Sequence, residues 1–244
     1  MKKIDAHAHI GDFGGWAGVE GTPEHLLSLM DEYDIEKTVL CSRDHTGNDG
    51  VAETAERYPD RFLPLVYLNP LEGREECLRK IAVYVDEKGF RGIKLNPLRH
   101  AYVADDTCLD PIMEEAGKRG IPVFIHSGHP PYSLPWSIAL LAERFPEVKT
   151  VMIHMGQGHG VYIDAALKMA KRYPNLYLEM SGMPMGIKIR QAYEDVGKER
   201  ILFGTDFPFH HPSVEIQKVL TCGLDEQAME DVFYNNVKKM FAQI

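Results

Sequence analysis

The stretch from Val123 to His154 decides the fold. It begins Val123-Phe124-Ile125-His126 and passes through a Gly/Pro-rich loop, Ser127-Gly128-His129-Pro130-Pro131. A helical pattern follows from about Ile138 to Arg144, and the stretch ends Val151-Met152-Ile153-His154. Two continuous apolar runs of strand length joined by a helix read as one β-α-β unit, with parallel strands buried on both faces. Both runs end in histidine.

The same rhythm extends in both directions. Toward the C-terminus come a helix from about Tyr162 to Tyr173, a strand over Leu176–Met180, a helix from about Ile187 to Val196 and a strand over Ile201–Asp206. Two helices, about Val214 to Leu220 and Glu226 to Phe241, close the chain. Toward the N-terminus, Gly92–Leu95 is a strand followed by a long polar loop, Asn96 to Thr107, and a helix from Leu109 to Arg119 that stops at Gly120. Phe62–Leu68 is a strand followed by a helical pattern from Glu72 to Lys88. Thr38–Cys41 is a strand followed by a short helix from about Asp49 to Tyr58. The first strand opens at Lys3 and ends at Gly11, and Thr22-Pro23 then starts a helix as N-cap and N1 proline. Eight strand–helix units in 244 residues predict a closed (β/α)8 TIM barrel of the α/β class. No linker or composition break divides the chain, so residues 1–244 are expected to form one domain.

Composition narrows the function. A net charge of −9 with no basic run argues against nucleic acid or an anionic membrane as partner. Asp5 and His7 interrupt the N-terminus before the apolar core of a signal peptide could form, and no stretch reaches the ~20 apolar residues of a membrane span. Cys41, Cys77, Cys108 and Cys222 are widely spaced, without a C-x-x-C, and read as thiols in a reducing cytoplasm.

The strand ends carry the chemistry. In Asp5-Ala6-His7-Ala8-His9-Ile10-Gly11 the two histidines share one face of a strand, because side chains alternate with period 2. Lys94 lies on the fourth strand, His126 ends the fifth, His154 the sixth and Asp206 the eighth. In a barrel these ends ring one mouth, where active sites of this fold are built. Imidazole and carboxylate at one edge suit zinc and its first-row neighbours, and a metal-bound water there loses its proton near neutral pH. Asp206 or His154 would carry the proton.

These pieces resemble the amidohydrolase superfamily, in its branch of amidohydrolase-2 hydrolases and of aminocarboxymuconate-semialdehyde and resorcylate-type decarboxylases. The resemblance rests on the Asp5–Gly11 stretch, Gly92-Ile-Lys-Leu, Val123-Phe-Ile-His-Ser-Gly, Val151-Met-Ile-His-Met-Gly, Gly204-Thr-Asp-Phe-Pro and Asn235-Asn-Val-Lys-Lys-Met-Phe. It implies that His7, His9, His126 and Asp206 bind one metal, with His154 as acid/base or as ligand of a second. Lys94 lies where the two-metal members carry a carboxylated lysine that bridges their ions. The cofactor expected is therefore one divalent metal, zinc first, with a two-metal site through Lys94 as the alternative. The chain is short for this branch, so pocket loops and a homodimer contact present elsewhere are candidates for trimming.

Around the mouth, Arg43 could grip a substrate carboxylate bidentately or form a salt bridge to Asp44 or a neighbouring loop. His129 and His159 follow the fifth and sixth strands and could touch substrate. His210 and His211 read as ordinary loop residues, Arg99 and His100 as a lid, and Trp16 and Trp136 as pocket walls. Glu179 is expected to support a ligating histidine. The Gly182–Gly186 loop has no basic residue to cradle phosphate. The expected activity is hydrolysis of a small amide, cyclic amide, lactone or ester by metal-activated water. The alternatives are a non-oxidative decarboxylase, with Arg43 as carboxylate anchor, and a barrel that binds metal without catalysis.

Overall fold

The computed structural model describes residues 1–14 and 18–242. Its strands are β1 (Lys3–Ile10), β2 (Ile35–Ser42), β3 (Phe62–Leu68), β4 (Gly92–Leu95), β5 (Val123–His126), β6 (Thr150–Ile153), β7 (Leu176–Glu179) and β8 (Ile201–Leu202). All pair in parallel in the order β1 to β8. The ring closes beyond β8. The Ala6 N–H donates to the Phe203 carbonyl (2.8 Å), the Asp206 N–H to the His7 carbonyl (2.8 Å) and the His9 N–H to the Phe207 carbonyl (2.7 Å). The strand expected over Ile201–Asp206 is thus regular only at its start. Its remainder bends to meet β1, and Asp206 turns into the left-handed region at φ 55°.

Helices fill the connections: α1 (Pro23–Glu32), α2 (Asn48–Arg57), α3 (Arg74–Ile81), α4 (Pro97–His100), α5 (Asp110–Arg119), α6 (Pro135–Arg144), α7 (Gly160–Arg172), α8 (Gly186–Asp195), α9 (Pro212–Thr221), α10 (Glu226–Glu230) and α11 (Asn236–Phe241). Two differ from simple periodicity. The helical pattern after Ile81 continues as π-helix over Ala82–Glu87, and Asp231–Asn235 is a π-helical segment joining α10 to α11. The polar stretch after β4 is not all loop, since the Asn96 side chain accepts from the Arg99 N–H and Pro97 starts the short helix α4. No helix among the described residues is long and apolar enough to cross a membrane, and the four cysteines are free.

The barrel has an apolar floor and a polar mouth. Inside it, Ile4, Val39, Leu65, Phe124, Val151 and Leu202 pack with Val237, Met240 and Phe241 of α11, and Phe124 stacks on Phe241 with ring centroids 6.3 Å apart. The last helix therefore plugs the N-terminal end of the strands. Above this floor β1 changes phase. Asp5 pairs with Thr38 but Ala8 with Leu40, so β1 carries one residue more than β2 over this span, a β-bulge. Ile4 and Ala6 face the inner core before it, whereas Ala8 and Ile10 join the outer core after it. His7 and His9 are thereby turned into the mouth.

Asp5 locks this arrangement. Its wholly buried carboxylate accepts from the His7 N–H (2.9 Å), the Thr205 N–H (2.9 Å) and the Thr205 hydroxyl (2.5 Å). Removing it strands three buried donors, at about 1–3 kcal/mol each before relaxation. Asp5→Ala is expected to lose about 2–4 kcal/mol of unfolding free energy in urea, and Asp5→Asn, which keeps one acceptor, less. An Asp5→Ala midpoint equal to the parent's would show that closure does not depend on this carboxylate.

Candidate metal centre

The bulge in β1, the inward face of β4 and the exits of β5, β6 and β8 bring six predicted residues to one place. The His7 and His9 ring centroids are 4.7 Å apart, His7 and His154 5.3 Å, and His126 and His154 4.8 Å. Asp206 Oδ1 lies 3.5 Å from both His7 Nδ1 and His9 Nε2. Lys94 is wholly buried, with Nζ 2.9 Å from His7 Nε2.

A second layer holds these groups. His9 Nδ1 is 2.8 Å from the Ser42 carbonyl and 3.3 Å from Cys41 Sγ. His154 Nδ1 is 2.8 Å from the Ser181 carbonyl. The fully buried Glu179 accepts from the Ser181 N–H (2.6 Å), the Ser181 hydroxyl (2.8 Å) and the His154 N–H (3.3 Å), the supporting part expected of it. A Cβ on Gly204 would collide with Glu179 Oε1, so only glycine fits beside it. Ser181 and Cys41 were not legible as site residues, since a lone serine or cysteine carries no spacing signal. His154 and Asp206 both have left-handed backbones, φ 67° and 55°, a strain that non-glycine residues keep only where the surroundings enforce it.

Burial, then Lys94, holds His7 well below the ordinary histidine range, and burial, then His154, does the same for His126. Burial takes His154 down to about 4 and lowers Lys94. Burial also lowers His9, but Cys41 and Asp206 outweigh it and lift this ring to about 10. Although burial raises Asp206, His154, His9 and Lys94 together pull it below the usual carboxylate range. The result is an ionised carboxylate among mostly neutral imidazoles.

Such a set fits a divalent cation. His126 Nε2 is a buried nitrogen with no hydrogen-bond partner, and a cation would satisfy it. Among the described residues two triads have donor atoms within 4.8 Å of one another, His7–His9–Cys41 and His7–His154–Glu179. Neither contains His126 or Asp206. In the first, Cys41 lies behind His9 on Nδ1, while His9 Nε2 faces Asp206. In the second, Glu179 is already engaged by Ser181 and His154. The donors that face the mouth are His7 Nδ1 and His9 Nε2, each 3.5 Å from Asp206 Oδ1, and the unpartnered His126 Nε2, a set more open than either triad.

Above them opens a cavity of about 580 Å3, lined among others by His9, Arg43, His126, His129, His154 and Asp206. Phe13 and Phe209 form an edge-to-face pair at 5.3 Å in its wall. Of the protein partners open to Arg43, the structure uses a neighbouring loop and not Asp44, which pairs with Arg99 at 3.1 Å. Arg43 instead donates to the Asp12 carbonyl (2.6 Å) and lies over Phe13. His129 stacks on His126 at 4.9 Å. His159 is placed elsewhere: it caps α7, accepting from the Val161 N–H, and does not line this cavity. Trp136 packs edge-on to Tyr162 at the surface, and Trp16 lies outside the described residues. Arg99 lines the cavity, and so does His210, which had read as an ordinary loop residue.

A family model described as amidohydrolase matches residues 4–242. A gamma-resorcylate decarboxylase from Rhizobium radiobacter is 26% identical over 76% of each chain. A 2-amino-3-carboxymuconate-6-semialdehyde decarboxylase from Dictyostelium discoideum is 25% identical over 66% of this chain, which spans only 55% of that relative's length. The crystal structure of a dihydroxybenzoic acid decarboxylase from Polaromonas sp. JS666, with bound manganese and the inhibitor 2-nitroresorcinol, superposes with a TM-score of 0.78. It is 20% identical and covers 99% of this chain and 97% of its own. The expectation of a hydrolase is corrected by these names, which favour the decarboxylase alternative; the same barrel-mouth residues suit both reactions, so the motif alone could not separate them.

His7→Ala/His9→Ala should keep the far-UV circular dichroism of the parent and lose bound metal by elemental analysis. Full metal occupancy in the double variant would remove this pair from the centre.

Proposed function

The chain belongs to the amidohydrolase family, and from that premise we propose that it is a metal-dependent, non-oxidative decarboxylase of a hydroxylated aromatic carboxylate. The observation that carries the reading is Arg43 in the cavity wall beside the Phe13–Phe209 pair, above the histidine–aspartate set. A flat ring fits between aromatic edges, and a guanidinium fork matches a carboxylate.

His7, His9, His126 and Asp206 would hold one divalent ion, zinc or manganese. When bound, the ion would neutralise the substrate's acidic oxygens and draw off charge that develops on the ring. Arg43 grips the carboxylate. Asp206, ionised at rest, relays a proton drawn from water to the ring carbon that bears the carboxylate; the bond to the carboxylate then breaks, its electron pair returns to the ring and CO2 leaves. His154, kept neutral by burial, takes the proton from water on its free ring nitrogen and passes it to Asp206, and the hydroxide left behind is taken up by the departing CO2 as bicarbonate. Lys94 remains a simple amine that orients His7 through Nε2, which favours one metal over a carboxylated bridge.

Incubation with hydroxybenzoates should release CO2, and an amide, lactone and ester panel should release no acid. Acid release without CO2 would overturn the reading. Asp206→Asn should slow turnover about 10²–10⁴-fold, the usual worth of a placed proton carrier. Protein loaded with excess zinc and bicarbonate should carry one ion per chain. Two ions, falling to one or none in Lys94→Ala, would restore the bridged centre.

A further inference from the structure

His210 follows β8 and lines the cavity on that flank, whereas Arg43 follows β2, so that β1 and its two histidines lie between them. Its side chain is about one-third exposed, at 36%, yet Nδ1 lies 3.3 Å from Oε1 of Glu215, a carboxylate only 3% exposed. Glu215 rises from α9 under the loop after β7, where it also accepts from the Gly182 N–H (3.4 Å) and pairs with Lys218 Nζ at 2.5 Å. Lys218 is anchored in turn by the Met180 and Met183 carbonyls, at 3.0 and 2.8 Å. One buried carboxylate thus faces a fixed lysine, which already balances its charge, and a histidine. A proton on that histidine would leave the cluster net positive at the cavity wall.

The loop is shaped to admit this ring. A Cβ on Gly182, which has φ 66°, would lie 3.0 Å from His210 Cε1 and 3.4 Å from His154 Nδ1. Helix capping does not explain Glu215, because the N-terminus of α9 is capped by His211. Lys218 already pairs one oxygen of this buried carboxylate, so the other oxygen, directed at a histidine one-third exposed, needs a reason. The groups facing His210 are Glu215 and Asp206, which favour its charged form, and Lys218 and burial, which oppose it; Glu215 is the strongest, and the balance raises its affinity for a proton. With Nδ1 turned to Glu215, Nε2–H is the donor left for the cavity.

We propose that His210 is a specificity-determining residue that donates a charged hydrogen bond to an ionisable ring hydroxyl of the substrate, at the end of the cavity away from the Arg43 carboxylate grip. This deepens the aromatic-carboxylate reading and rests on it. Binding is measured calorimetrically on metal-loaded protein with benzoate and with 2-, 3- and 4-hydroxybenzoate. In the parent at least one hydroxyl position should improve affinity over benzoate. In His210→Gln that gain should shrink about tenfold, as expected for a lost hydrogen bond to a charged group, with benzoate itself unchanged. His210→Lys should recover part of the gain. Arg43→Gln, by contrast, should weaken all four ligands by one common factor. A gain that survives in His210→Gln, or a uniform loss across the four ligands, would overturn the proposal. The CO2 assay is a separate arm. If the parent released no CO2 while the hydroxyl gain still collapsed in His210→Gln, the decarboxylase reading would fall and the hydroxyl contact would stand.

Discussion

One buried carboxylate couples the closure of the barrel to the shape of its mouth. Asp5 accepts from the His7 N–H on its own strand and from the N–H and hydroxyl of Thr205 on the segment that completes the ring. Those three bonds fix the backbone on either side of the seam, one residue before Asp206 and at His7 itself. The reciprocal bond from the Asp206 N–H to the His7 carbonyl continues the same seam. The 3.5 Å between Asp206 Oδ1 and His7 Nδ1 thus spans two backbones that strand pairing holds in register. Barrel closure and the placing of the candidate metal donors are one constraint seen at two levels.

The mouth concentrates unfavourable terms. Lys94, His7, Glu179 and His154 are all essentially out of water, and two residues bear left-handed strain worth on the order of 1–3 kcal/mol each. The apolar floor offsets this. Phe124 and the α11 residues Val237, Met240 and Phe241 fill the barrel from below, where a fully buried large apolar side chain contributes roughly 1.5–3 kcal/mol. The protein is thus assembled as a stable base carrying a strained, desolvated rim. Desolvation also keeps most of the imidazoles neutral, the protonation state a cation needs from them.

Much of this was legible in the sequence because it depends on local pattern. Apolar runs ending in His126 and His154, the period-2 spacing of His7 and His9, and Asp206 after the last run all mark the same edge of the sheet. The β1 bulge was not legible: it is a register relation with β2, and alternation within one strand says which residues share a face but not which face points inward. Glu179 was visible as a strand-end carboxylate, whereas Ser181 and Cys41 matter only through neighbours far away in sequence. The π-helical segments hide inside ordinary helical periodicity. His210 looked bland because its partner, Glu215, comes from a different element, and a carboxylate in the first turn of a helix usually has a local electrostatic role.

The choice between hydrolysis and loss of CO2 turns on the wall of the cavity, not on the ligand ring. A set of histidines and an aspartate can serve an attacking water or a bound carboxylate equally well. What differs is the charge facing it. Asp44 is the nearest acidic residue in sequence to Arg43, and had the two paired, the wall would have been neutral there. The fold instead gives Asp44 to Arg99, which reaches it from α4 across the loops after β2 and β4. Arg43 then lies over Phe13, its positive charge beside an aromatic face and within the cavity. An arginine so placed favours an anionic ligand over a neutral amide or ester, and an aromatic neighbour favours a flat one. On the far side His210, whose affinity for a proton Glu215 raises, offers a second donor. A cavity with donors on two flanks and a proton-relaying carboxylate between them suits the proposed substrate, a ring with acidic oxygens at separate positions, which can lose CO2 and leave a stable arene.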